Sequence, residues 1–399
     1  MSALARIPLL FFFFATSIGV MLRWHFISPI DWITYPYFLH VHSHMMFLGW
    51  VLNVLCISWV ETQIEEGKRK RYIILLWIIQ LTVAGMTISF SLTGYEFFSI
   101  ILSSLHTLLI CIFSAWFFRD ARNKPFALSR WFAKMALVFF MISMIGPFTL
   151  GPLMANGLAY TKWYYFAIYY YLHFQYNGTF TFGVLSLLFF VLQQHQISLN
   201  EVVIKKLGLL CFASVVLTYA LSVLWASPSL LFNVIGLVGA LLQLIGFIVL
   251  MWMITSPIKK NIAFPISIKW LIAISLFSLV LKLILQVLAA HPLIARMAYE
   301  NRNYVIAYLH LVLLGMISSF LIGWMLHQKW IKAIHPLFLT GMLVGFVGME
   351  VALIAKLNPE TSSLLLFVFA LLLWQGTTGL LLANLRRIVS RQIAPTTYT

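Results

Sequence analysis

Few folds are open to a chain that is cut, again and again, into apolar runs of about membrane length. Twelve such runs are legible, over roughly 7–23, 37–60, 73–93, 97–118, 133–154, 165–192, 207–226, 230–254, 269–290, 303–327, 334–355 and 363–385. Crossing a bilayer takes about 20 apolar residues as a helix but only about 10 as a strand. With no water inside lipid, each backbone N–H and C=O must be bonded internally, so runs of this length are expected to be helices. The connecting loops are short, and residues 1–399 read as a single transmembrane domain, an all-α polytopic membrane protein. Composition agrees: 62% of residues are hydrophobic and 9% charged, against about 25% charged in soluble domains. The lipid bilayer is the first partner this implies.

The net charge of +16 does not call for nucleic acid, because its distribution follows the loops. Arg6, the run Lys68-Arg69-Lys70-Arg71, Arg119, Arg122, Lys124, Arg130 and Lys134 fall on one side. Lys205, Lys206, Lys259, Lys260, Lys269, Lys329, Lys332, Arg386, Arg387 and Arg391 join them, 20 in all. Arg23, Lys162, Arg296, Arg302 and Lys356 make 5 on the other side, and Lys282 lies inside span nine. By the positive-inside rule both termini are expected in the cytoplasm, with the chain in the inner (cytoplasmic) membrane. Arg6 and the run Ile7–Leu22 lack a following small-x-small cleavage site and read as a retained first helix. Cys56, Cys111 and Cys211 lie far apart in apolar segments. They imply no disulfide framework, and there is no C-x-x-C-H site for covalent heme.

The polar residues that matter are histidines. Span two opens with Leu39-His40-Val41-His42-Ser43-His44, so that His40 and His44 share one helix face and His42 looks almost the opposite way. His106 on span four, His173 on span six and His310 on span ten fall 7–9 residues inside their spans. In the predicted orientation all of these lie in the outer part of the membrane. An intramembrane ionisable residue is costly and faces a partner, a cofactor or water. Imidazole suits iron, copper and zinc. His25, His195, His291, His327 and His335 sit at span ends and read as interfacial. His42 and His173 are 131 residues apart, His173 and His310 137. With His44-Met-Met-Phe-Leu-Gly49 set beside His310-Leu-Val-Leu-Leu-Gly315, this points to three pseudo-repeats of four helices.

Twelve helices with histidines on spans two, six and ten resemble the catalytic subunit of the heme-copper oxidase superfamily, which includes the nitric oxide reductases. The window His173-Phe-Gln-Tyr-Asn177-Gly178-Thr179-Phe180-Thr181 is similar to the reductases' His, three residues, Glu-Gly-Thr-Phe-Glu. The resemblance implies that His173 binds a non-heme metal. Tyr308-Leu-His310, with Gly315 five residues on, is similar to the family's His-x-His. This implies that His310 is an axial ligand of a low-spin heme, and it puts Tyr308 where the high-spin heme ligand stands. The other low-spin ligand falls on His40 or His44. The chain departs from the pattern on span seven, which has no histidine pair, and at Asn177 and Thr181, which stand in place of glutamates. The implied cofactors are heme b and, at an incomplete binuclear site, copper or non-heme iron. The implied function is electron transfer or the binding or reduction of O2 or NO, with an electron-donor cytochrome or an additional oxidase-type subunit as partner. The start of span two is also similar to the heme- and copper-containing membrane proteins of the nitric-oxide stress response.

Each of these residues also has a plainer use. His42 is read as a metal ligand or as part of an interfacial cluster, and His106 as a packed histidine or a further ligand. Tyr169, His173, Asn177 and Thr181 form a one-turn stripe that suits a ligand pocket or interhelical polar packing. Lys282 and Glu350 are ionisable groups inside spans, with Gln80, Gln286 and Gln375 too scattered for a proton relay. Pro147, Gly151 and Pro152 on span five allow the contrasting class, a twelve-helix transporter with a site at a discontinuous helix.

Overall fold

The computed structural model describes residues 4–121, 126–224, 229–332 and 335–389. Of the residues used for orientation, Arg122, Lys124 and Arg391 lie outside these. Twelve helices are long and apolar enough to cross a membrane. Spans one to four are Leu4–His25, Tyr35–Gln63, Glu66–Thr93 and Phe97–Asp120. Spans five to eight are Ala127–Ala155, Lys162–Gln194, Glu201–Val223 and Leu230–Asn261. Spans nine to twelve are Ile266–Ala289, Arg302–His327, Pro336–Ile354 and Pro359–Leu385. The chain is thus an all-α polytopic membrane protein, as the apolar runs predict.

The helices gather into two compact units. The first holds Met1–Phe117, Ile266–Leu271 and Ser318–Thr399; the second holds Phe118–Pro265 and Ile272–Ile317. In the first unit span one is tied to span twelve by Thr16 and Thr377 (Oγ1···Oγ1 2.8 Å) and by Trp374 Nε1 donating to Ser17 Oγ at 2.8 Å. Two further indole bonds join span two to the C-terminal half of span ten. Trp50 Nε1 donates to Ser318 Oγ at 2.8 Å, and Trp324 Nε1 donates to Ser58 Oγ at 2.9 Å. Sequence number rises in the same direction along both helices through these two contacts, so the two helices run parallel here. Such bonds, with close packing, carry helix association where lipid is as apolar as leucine.

Among the described residues three stretches take up the wider π turn. Met45–Leu52, Phe174–Phe180 and Leu311–Ser318 are π-helical. They begin directly after His44, His173 and His310, and glycine stands five residues beyond each histidine, at Gly49, Gly178 and Gly315. π turns are rare and gather at functional sites. The same turn thus follows a histidine on spans two, six and ten, with His44 rather than His42 in register with His173 and His310. The wider turn changes side-chain bonding as well. Thr179 and Thr181 hydroxyls donate to Phe174 and Tyr176 carbonyls, each five residues back.

The two glycines whose surroundings are described make room for a phenylalanine of the preceding span. A Cβ on Gly49 would lie 2.7 Å from Phe11 Cγ, and one on Gly178 would overlap the Phe139 ring. Span five is interrupted at Met144, between helical segments Ala127–Ser143 and Ile145–Ala155. Pro147 has no N–H to offer the preceding turn, and the break falls just before it. Beyond the break, Gly146 packs directly on the backbone of Ala167 and Tyr171 in span six.

Candidate functional site: three histidine turns

At the start of span two, backbone acceptors decide the tautomers. His44 Nδ1 lies 2.9 Å from the His40 carbonyl oxygen, and His42 Nδ1 lies 2.8 Å from that of Ala15. A carbonyl only accepts, so each Nδ1 carries the proton and each Nε2 keeps the lone pair. An imidazole fixed in this way is ready to ligate through Nε2, and the backbone bond orients the ring and raises its basicity. His40 and His44 share a face against aromatic rings. Phe90 lies 4.5 Å from the His44 ring and 5.7 Å from that of His40, while Tyr95 lies 6.0 Å from His40. His42 faces span one, its Cε1 3.2 Å from where a Cβ on Gly19 would stand.

His106 is buried on span four with Nδ1 3.1 Å from Thr82 Oγ1. The Thr82 hydroxyl donates to the Ile79 carbonyl at 2.6 Å. His106 Nδ1 is therefore the donor, and its Nε2 is a buried lone pair with no hydrogen-bond partner.

The span-six histidine is engaged at both nitrogens. His173 Nε2 donates to the Val215 carbonyl at 2.8 Å, which makes Nδ1 an acceptor for Ser222 Oγ and Asn177 Nδ2, each at 3.1 Å. Tyr176 joins this network through Ser222 and Asn177. A metal at His173 would require the ring to break one of these bonds. Asn177 meets His173, as the stripe predicts, but the Thr181 hydroxyl is spent on the backbone. Span seven, which has no histidine pair, contributes Ser222 and the Val215 carbonyl. Tyr308 packs edge-on to Tyr176, with centroids 5.9 Å apart. His310 is half-buried at the last position before the third π stretch.

Among the described residues no three His, Cys, Asp or Glu side chains are grouped to hold a metal ion. Glu350 has Arg23 as an electrostatic partner across spans eleven and one. His25, His291 and His335 each accept a backbone N–H at Nδ1, from Ile30, Leu293 and Leu337. These are structural uses at helix ends. No protein-family model matches the chain, and no curated protein matches it.

Proposed function

We propose that this is a heme-binding membrane protein on the helix plan of the heme-copper oxidase catalytic subunit, serving electron transfer or the binding or reduction of O2 or NO. The observation that carries the reading is the parallel pairing of spans two and ten through Trp50–Ser318 and Ser58–Trp324. These are the spans that carry the low-spin heme ligands in the family the chain resembles. His44 would hold the heme iron: its ring is anchored by the His40 carbonyl and Nε2 keeps its lone pair. Of the two span-two candidates, His44 is also the one in register with His310. The resemblance makes His310 the second ligand. A bis-histidine heme b supplies one-electron transfer between its ferric and ferrous states. The chain's own part is to hold the imidazole in one tautomer and, through Met45, Met46 and Phe47, to keep water from the turn that follows.

Copper or non-heme iron fits less well, because the His173 ring is already engaged at both nitrogens. The charge asymmetry supports cytoplasmic termini in the inner membrane, testable with reporter fusions at both ends. The cofactor test is a reduced-minus-oxidised spectrum of the detergent-purified chain. Sharp low-spin bands and a non-covalent pyridine hemochrome are expected, both lost in His44→Ala. A colourless protein from heme-replete cells, with its fold intact, refutes the reading.

A further inference from the structure

Lys282 lies near the middle of span nine and is fully buried. Among the described residues its ammonium makes one hydrogen bond, a long one of 3.4 Å to Gln243 Oε1 on span eight. The acidic residues of this unit are Asp120, Glu201 and Glu300. All three stand at helix ends and are paired with Arg119, Lys205 and Arg296. Among the described residues of its unit the cation thus has no carboxylate beside it. A buried charge without a counter-charge is among the most costly things a fold can hold.

The groups around it are unspent, and most are donors. Among the described residues Gln243 Nε2 has no hydrogen-bond partner, and neither has Ser278 Oγ one turn before Lys282. Gln286 Oε1, one turn after it, is also unpartnered. Ser278, Lys282 and Gln286 follow a one-turn spacing on a regular helix and so form one stripe. The residues Ser278 and Gln243 are fully buried and Gln286 nearly so. Cys211 on span seven and His173 on span six lie close enough to feel the lysine's charge. His173 has no donor left for a ligand, since its Nε2–H is held by Val215. Two ammonium hydrogens, an amide N–H2 and a hydroxyl on this stripe and the facing Gln243 therefore await an acceptor. Gln286 Oε1 can take only one of them.

We propose that Lys282, Gln243 and Ser278 form a buried binding site for one small monovalent anion. A negative ligand supplies both the missing counter-charge and an acceptor for the unspent donors. The proposed ligand is a single small ion because Lys282, Gln243 and Ser278 are fully buried.

The test is equilibrium binding of radiolabelled chloride to the purified full-length chain in detergent. Unlabelled bromide, nitrate, nitrite and formate serve as competitors at constant ionic strength. One saturable site per chain is expected, displaced by at least one competitor and lost in Lys282→Met. In Ser278→Ala the affinity should fall about tenfold or more, the loss of one charge-assisted hydrogen bond. Ser278→Ala removes only a hydroxyl, so it keeps the test sharp if Lys282→Met fails to fold. Two results overturn the proposal: no saturable binding of chloride or of any competitor by the wild-type chain, or binding unchanged in folded Ser278→Ala and Lys282→Met.

Discussion

Replacing Ser318 by alanine tests the pairing of spans two and ten without touching a histidine. Trp50 is fully buried, and its indole N–H donates to Ser318 Oγ at 2.8 Å. Removing the hydroxyl strands that donor in a dry interior. An orphaned buried donor costs about 1–3 kcal/mol. Hydrogen bonds between membrane helices average nearer 0.6 kcal/mol, with a maximum of about 1.7, because unfolded helices in lipid find other partners. Full burial of Trp50 places this bond toward the upper end, at about 1–1.5 kcal/mol of destabilisation. Trp50→Phe keeps a ring against Phe12, whose centroid lies 4.6 Å from the indole, and removes the donor. In a double-mutant cycle read by equilibrium unfolding in mixed micelles, the two changes should couple by about 1 kcal/mol. Additivity within ~0.3 kcal/mol would mean that the bond does not hold the spans together, and the argument for the heme position would lose its footing.

His310→Ala should remove or convert the low-spin spectrum, whereas His173→Ala should spare it, since a six-coordinate heme takes no third histidine; the reverse pattern defeats the assignment of spans. Gly178→Ala should destabilise by about 1–3 kcal/mol through overlap with Phe139. Gly151→Ala, with open space around its Cβ, should be neutral or stabilising by up to about 1 kcal/mol in the same unfolding assay. With no histidine pair on span seven, the purified chain supplied with an artificial donor should reduce oxygen far more slowly than a terminal oxidase, as read by an oxygen electrode.

The helix number and order were legible because twenty-residue apolar runs leave little choice, and the structural bounds fall within a few residues of most of them. The histidines were legible as outliers within those runs. Their register was not, because His42 and His44 look alike until the π turn after His44 singles it out. Nothing in Met45–Leu52 distinguishes i→i+5 from i→i+4 bonding by composition; glycine five residues on is the only trace. The break in span five was visible through Pro147, although it falls three residues earlier, at Met144. The partners of His173 on span seven were invisible: a backbone carbonyl has no signature in sequence, and Ser222 looks like any packing serine. Lys282 stood out at once, but its unspent neighbour on span eight, Gln243, became apparent only when the helices were folded.

The three π turns also bear on how the chain can tolerate change in length. An i→i+5 turn takes up one residue more than an i→i+4 turn. A one-residue deletion within Leu311–Ser318 can therefore be absorbed by tightening to α geometry, where the same deletion in a plain helix would turn everything beyond it by about 100°. The same slack follows His44 and His173 on spans two and six.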